Sequence, residues 1–517
     1  MTIRDMPLLR GLLAAALAAL AGCATPPAPP VVATEAGTLQ GVVLDHERAY
    51  LGIRYAEAPS GARRWQPPVV PTAVSGPVDA TKPGPHCPQV ATDYGLPSSD
   101  EDCLFLNVYV PDPVPHGSVP VMVWIHGGAL VVGEGDDFDP APMVRQAGVI
   151  VVTLNYRLGA LGWLAHKALD GEGHNAANYG LMDQQAALAW VHRNIGRFGG
   201  DPGRVTLFGE SAGGLSVLMH LAAPGSAGLF QRAIVESGVY AWTLPTLEAA
   251  EAEGTKFAES AGCPDQTSAC LRALPVGPIL DKESQLPIPP VDGRVLVRSL
   301  DKAFESGMFA RVPVLQGTTH DEFRVFVAGA YDLQPRGPIQ PAQYQAAVAE
   351  RHGAEKAAKI VAEYPLAAYP SPDIAAAAIE TDAFFACPAW RAEAAIAKIV
   401  PSWEYEFSDP APPQNFTAPA QIPYGAYHAS EIQFLLDVRS RPGTPPLSPA
   451  EQALSRQMIF YWTNFARTGN PNGPGLPAWP GWRAESGLVE TLAPPAPAPE
   501  TGFAAAHHCA FWTDLAR

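Results

Sequence analysis

Apolar and polar positions alternate in two distinct rhythms from about Ala36 onward. Val119 to His126 and Val149 to Asn155 are short, β-branched apolar runs bounded by turn formers, the pattern of strands buried on both faces. Leu181 to Phe198 spaces its apolar residues at the helical period instead. After Pro202, Arg204 to Gly209 reads as a strand and Ser211 to Leu221 as a helix. A strand-turn-helix unit therefore brackets Gly209-Glu210-Ser211-Ala212-Gly213. Segments that alternate in this way predict an α/β fold with a large, mostly parallel central sheet flanked by helices. No internal repeat or second linker divides it, so residues 36–517 are expected to form one domain.

The first residues follow a different logic. Arg4 and Arg10 precede an apolar run from Gly11 to Leu20, too short to span a bilayer, as in an export signal covering residues 1–22. Leu20-Ala21-Gly22-Cys23 resembles the lipobox of bacterial lipoproteins, which implies a lipid on Cys23 and anchoring in a membrane. An ordinary cleaved signal with an incidental cysteine is the alternative. A Pro-rich stretch within residues 23–35 would then serve as tether. Ala24, rather than aspartate, follows the cysteine, so the outer membrane of a Gram-negative host is expected; failing an anchor, the protein would be periplasmic or secreted.

Composition narrows the classes. Of 517 residues 47% are apolar and 16% charged, enough to bury a large core, and 55 prolines imply long surface loops. The formal charge of −17 excludes a nucleic-acid partner, which needs a basic footprint. Setting Cys23 aside leaves an even six cysteines in an exported chain, which favours three disulfides; the count alone leaves fifteen pairings open.

The pentapeptide around Ser211 gains weight from its setting. A turn that tight between strand and helix needs small residues two positions either side of the serine, and Gly209 and Gly213 supply them. The helix start directs N–H groups and a positive dipole end at the same spot. A serine hydroxyl is a poor nucleophile until a base takes its proton and an acid orients that base. No H-E-x-x-H, phosphate loop or dinucleotide fingerprint occurs, so neither metal nor organic cofactor is implied.

The chain as a whole resembles the type-B carboxylesterase family, which includes the cholinesterases. The resemblance rests on Gly52-Ile53-Arg54-Tyr55-Ala56, Glu101-Asp102-Cys103-Leu104-Phe105-Leu106-Asn107-Val108, Asn178-Tyr179-Gly180-Leu181-Met182-Asp183-Gln184 and Phe198-Gly199-Gly200-Asp201-Pro202. Phe465-Ala466-Arg467-Thr468-Gly469-Asn470-Pro471 continues it late in the chain. It implies an α/β-hydrolase fold and an acyl-enzyme mechanism on small-molecule esters. Within Gly317-Thr318-Thr319-His320-Asp321-Glu322 it implies Glu322 as the acid, with Asp321 as the rival; the family's next glycine is Phe323 here. Within Tyr427-His428-Ala429-Ser430-Glu431-Ile432 it implies His428 as the base of Ser211.

The resemblance also places an oxyanion hole at the N–H groups of Gly128, Ala129 and Ala212. Ala129 stands where a third glycine is commoner, so the hole is expected to survive as long as the backbone there does not demand a positive φ. His126 is expected to be structural, and Glu210 and Ser237 to line or support the site. Disulfides Cys87–Cys103, Cys263–Cys270 and Cys387–Cys509 are implied. The glycine-rich pattern further implies slow acceptance of tertiary-alcohol esters. Choline esters are not implied, because Tyr94 but no tryptophan lies between Cys87 and Cys103, and Glu283 to Leu286 lack the phenylalanines of a narrow acyl pocket. A lipase or peptidase using the same triad, or a non-catalytic binding protein, are the alternatives.

Overall fold

The computed structural model describes residues 29–92, 95–115, 117–173, 177–282, 289–415, 420–438 and 443–516. The expected signal segment, Cys23, Tyr94 and Glu283 to Leu286 lie outside them.

The strands of the main sheet are β1 Val42–Leu44, β2 Glu47–Arg54, β3 Phe105–Pro111, β4 Val119–Ile125, β5 Ile150–Leu154 and β6 Gly200–Glu210. They continue with β7 Arg232–Glu236, β8 Val314–Thr319, β9 Ser402–Phe407, β10 Val489–Leu492 and β11 Ala498–Glu500. The helices that matter for the site are α1 Tyr179–Asn194, α2 Ala212–Ala222, α3 Pro372–Thr381, α4 Cys387–Ile396 and α5 Pro449–Thr468. The eleven strands lie in the order β11-β10-β9-β8-β7-β6-β4-β5-β3-β2-β1. From β10 through β5 neighbours run parallel, and antiparallel pairs close both edges. This is the α/β-hydrolase architecture that the sequence implied.

Every residue of β4 is buried, and its side chains alternate between two cores. Val121, Val123 and Ile125 join Leu207 and Val152 in the layer beneath α1 and α2. Met122 and Trp124 join Phe208, Val151 and Leu315 in the layer beneath α5. Each such apolar side chain stabilises by about 1.5–3 kcal/mol relative to exposure, so the central strands are a stiff platform. Helix α5 starts at Ser448 with a reciprocal capping box to Glu451 and Pro449 in its first turn. Its residues Leu454, Met458, Trp462 and Phe465 recur at helical spacing and face the sheet.

Three expected boundaries moved. Val31–Thr34, inside the expected tether, pairs antiparallel with Gly37–Gln40, where Thr34 Oγ1 donates to Gly37 O and closes the turn. β6 begins at Gly200 rather than Arg204, with its register slipping between Gly200 and Val205, where Pro202 has no N–H to donate. The helix expected over 181–198 tightens into a 3-10 turn at Ile195–Phe198. The disulfides Cys87–Cys103, Cys263–Cys270 and Cys387–Cys509 are all formed.

Candidate active site

Ser211 sits between the end of β6 and the first residue of α2 with φ 54° and ψ −117°, a conformation costly for a residue with a Cβ. The turn survives because its neighbours are glycines. A Cβ on Gly209 would lie 2.6 Å from the Ile125 carbonyl oxygen, and one on Gly213 would lie 1.9 Å from the same atom. The end of β4 is thus the surface that requires glycine on both sides of Ser211. The Ser211 N–H donates to Glu236 O at 2.8 Å, tying the elbow to β7.

Glu322 follows β8 and is fully buried. Its Oε1 accepts from Ser237 Oγ at 2.6 Å and from the Thr319 N–H at 2.9 Å. Its Oε2 lies 2.5 Å from His428 Nδ1. This arrangement puts the imidazole proton on Nδ1 and leaves Nε2 as the acceptor. Asp321, the rival acid, is occupied elsewhere: one oxygen meets Arg324 at 2.7 Å and the other accepts the Ala426 N–H at 3.0 Å. Phe323, in place of the family's glycine, has φ −89°, which any residue adopts, and its N–H donates to Thr381 Oγ1 at 3.0 Å.

Phe326 and Phe385 flank the His428 ring with centroids at 5.2 and 5.0 Å. They are brought there by the segment after Glu322 and by the π-helical turn between α3 and α4. Neither could be found from sequence spacing. His428 Nε2 lies 3.2 Å from Glu210 Oε1. Burial, with Glu431, Glu322 and Glu236 nearby, pushes the Glu210 carboxyl well above the usual range. The shift favours the uncharged form of Glu210, which lowers the negative charge beside Ser211. Glu236 is pushed up to about 7 by burial, and Trp462 Nε1 of α5 donates to it at 2.8 Å. Glu431 lies in the segment that carries His428, but only the fold shows that it and Glu236 sit close enough to act on Glu210.

The glycine-rich loop after β4 supplies the opposite wall. Gly128, Ala129 and Leu130 all have positive φ, 91°, 58° and 64°. Ala129 therefore does occupy the conformation that glycine would take more cheaply, contrary to the condition set by the sequence reading. No other group engages the N–H of Gly128, Ala129 or Ala212 among the described residues. His126 supports this loop: its Nδ1 lies 2.9 Å from Gly127 O and its ring stacks on Tyr156 at 4.4 Å. Burial lowers its pKa to about 4, so it stays neutral. Ser211, His428, Gly128 and Ala129 open onto one cavity of about 520 Å³ whose other walls include Val90, Leu96, Val325 and Val438.

The model of the "Carboxylesterase family" matches residues 28–512. Among individual proteins, the chain is 36% identical over 491 residues to an acylcarnitine hydrolase of Mus musculus, covering 88% of this chain and 86% of that one. It is 35% identical over 479 residues to the para-nitrobenzyl esterase of Bacillus subtilis (strain 168), covering 88% and 93%. It is 34% identical over 523 residues to a cocaine esterase of Homo sapiens, covering 94% and 91%.

Proposed function

The chain belongs to the carboxylesterase family and is a serine ester hydrolase, and on that premise we propose that Ser211, His428 and Glu322 carry the reaction. Ser211 Oγ attacks the ester carbonyl carbon while His428 Nε2 takes its proton. The carbonyl oxygen becomes an oxyanion facing the N–H groups of Gly128, Ala129 and Ala212. When the intermediate collapses, His428 returns the proton to the departing alcohol, leaving an acyl ester on Ser211. Water, deprotonated by the same nitrogen, then releases the carboxylic acid. The observation that carries this reading is the fixed line from Ser237 through Glu322 to His428, ending beside the strained Ser211 elbow in a shared cavity.

The apolar walls favour carboxylic esters with uncharged acyl and alcohol parts small enough for about 520 Å³. The names of the relatives, acylcarnitine hydrolase, para-nitrobenzyl esterase and cocaine esterase, point to differing substrates and fit a broad rather than a single-substrate site. We further propose that the protein is exported and held to the outer membrane by a lipid on Cys23. The lipobox-like sequence and three disulfides, which persist in oxidising compartments, support this reading. No helix among the described residues is long and apolar enough to cross a membrane.

Hydrolysis of a chromogenic ester series from acetate to decanoate tests the substrate reading. Short and medium acyl chains are expected to turn over best. Exclusive use of emulsified long-chain triglycerides would contradict it.

A further inference from the structure

We propose that His86, Glu134 and Asp136 form a divalent-cation site in the wall between the active-site cavity and the loop closed by Cys87–Cys103. One imidazole nitrogen and one oxygen from each of two carboxylates are offered there, and these three atoms lie within 4.8 Å of one another. Ligands around a zinc-sized ion at bond lengths of about 2.0–2.2 Å stand roughly 3.4 Å apart, so small side-chain rotations close the site. A donor set that mixes imidazole with carboxylates suits Zn²⁺ or Mn²⁺ better than Ca²⁺ or Mg²⁺, which take oxygen cages.

The decisive residue is Glu134. Its carboxylate is fully buried, Oε2 is in close contact with His86 Nδ1, and Oε1 has no hydrogen-bond partner. Among the described residues no lysine or arginine pairs with it. This buried carboxylate meets one imidazole, with Asp136 3.7 Å from the other ring nitrogen, and adjoins the Asp137 carboxyl, a crowding of acidic groups that a dication would relieve. His86 and Asp136 keep side-chain exposures of 19% and 15%, which gives an ion a route from solvent.

The two backbone segments that carry these side chains are already fixed to each other by neutral amides. Asn155 Nδ2 donates to Pro85 O at 3.0 Å while its Oδ1 accepts the Gly135 N–H at 2.7 Å. Gln89 Oε1 accepts the Gly133 N–H at 2.8 Å. His86 and Glu134 are therefore held facing each other independently of any ion, the preorganisation that a metal site needs. Glu134 also lines the cavity that contains Ser211, and it follows the oxyanion loop by only a few residues. An ion here would fasten that loop to the disulfide loop, so its first effect would be on stability.

The test uses the full mature protein, stripped with a chelator, dialysed, and titrated with Zn²⁺ and separately with Mn²⁺ by calorimetry and thermal shift. One ion per chain and a raised Tm are expected. Glu134→Gln and His86→Asn should each weaken binding by at least about tenfold and remove the thermal shift. Ser211→Ala should bind as wild type does, which separates this site from the catalytic assignment. Absence of stoichiometric binding by wild type overturns the proposal. Equal binding by wild type and His86→Asn also overturns it, even if Glu134→Gln fails to fold.

Discussion

Ser237 and Glu322 face each other across the ends of β7 and β8, with Ser237 Oγ donating to Glu322 Oε1 at 2.6 Å. The bond matters because Glu322 has two tasks: one oxygen is anchored so that the other can align His428. Ser237 is fully buried and does not line the cavity, so it acts as a positioning residue. Ser237→Ala removes a bond to a charged group worth about 1.5–3 kcal/mol. We expect kcat to fall by roughly ten- to a hundredfold with KM little changed. Steady-state kinetics on a soluble ester check this, and an unchanged kcat would show that Thr319 alone holds the carboxylate.

Ala129 at φ 58° carries strain that glycine would not. The cost of a Cβ in this region is roughly 1–2 kcal/mol, partly offset by the greater freedom of glycine in the unfolded chain. Ala129→Gly is therefore expected to leave stability unchanged or raise it by up to about 1 kcal/mol. Removal of the methyl group also enlarges the space beside the reacting carbon, so turnover of tert-butyl acetate should rise from a slow wild-type rate. Denaturant melts and that assay read the two effects separately. Failure of both proteins to turn over the tertiary ester, with primary acetates hydrolysed well, would place the limit in another wall.

His507 is buried between Asp382 and Glu406, with hydrogen bonds of 2.6 Å to each. Burial alone would lower its pKa, but the two carboxylates raise it to about 10. The folded value thus exceeds the unfolded value of about 6.5. Stability from the imidazolium is fully present below the unfolded pKa and is lost as pH rises through the folded one. His507→Gln should accordingly be much less stable than wild type at about pH 6, and the gap should shrink steadily as pH climbs from about 6.5 to about 10 and level off above it. A gap of constant size, read from chemical melts across that range, would contradict a charged His507.

The parts of the site that were legible in the sequence are those fixed by local sterics or carried in short motifs. Gly209 and Gly213 were readable because a sharp strand-to-helix turn has few solutions, and the structure shows β4 as the surface that would clash. Ser237, Glu322 and His428 lay inside motifs, although the hydrogen bonds joining them span 85 and 106 residues. The aromatic clamp of Phe326 and Phe385 on His428 had no comparable signal, since it depends on how a π-helical turn packs against a loop. The positive φ of Ala129 was left open by the sequence, because the glycine commoner at that position raised the question but alanine itself gives no local sign that its backbone is left-handed. The early strand Val31–Thr34 was hidden by the prolines preceding it.

Cys23 gives a prediction independent of the catalytic site. Wild-type protein expressed in a Gram-negative host should sediment with outer membranes, and Cys23→Ser should remain as uncleaved precursor or become soluble. Fractionation with immunoblotting checks it. Wild type found only in the soluble fraction would refute the anchor while leaving the esterase reading intact.

The most direct measurement follows the covalent intermediate. Diethyl para-nitrophenyl phosphate transfers a phosphoryl group to an activated serine, mimicking the acylation step without a fast deacylation. Intact-mass and peptide mapping of the inhibited protein should show one adduct per chain, on the peptide containing Ser211, with ester hydrolysis lost in proportion. Ser211→Ala should remain folded by circular dichroism, acquire no adduct, and retain less than about a thousandth of the wild-type rate. An adduct on a different residue, or appreciable turnover by folded Ser211→Ala, would contradict Ser211 as the nucleophile.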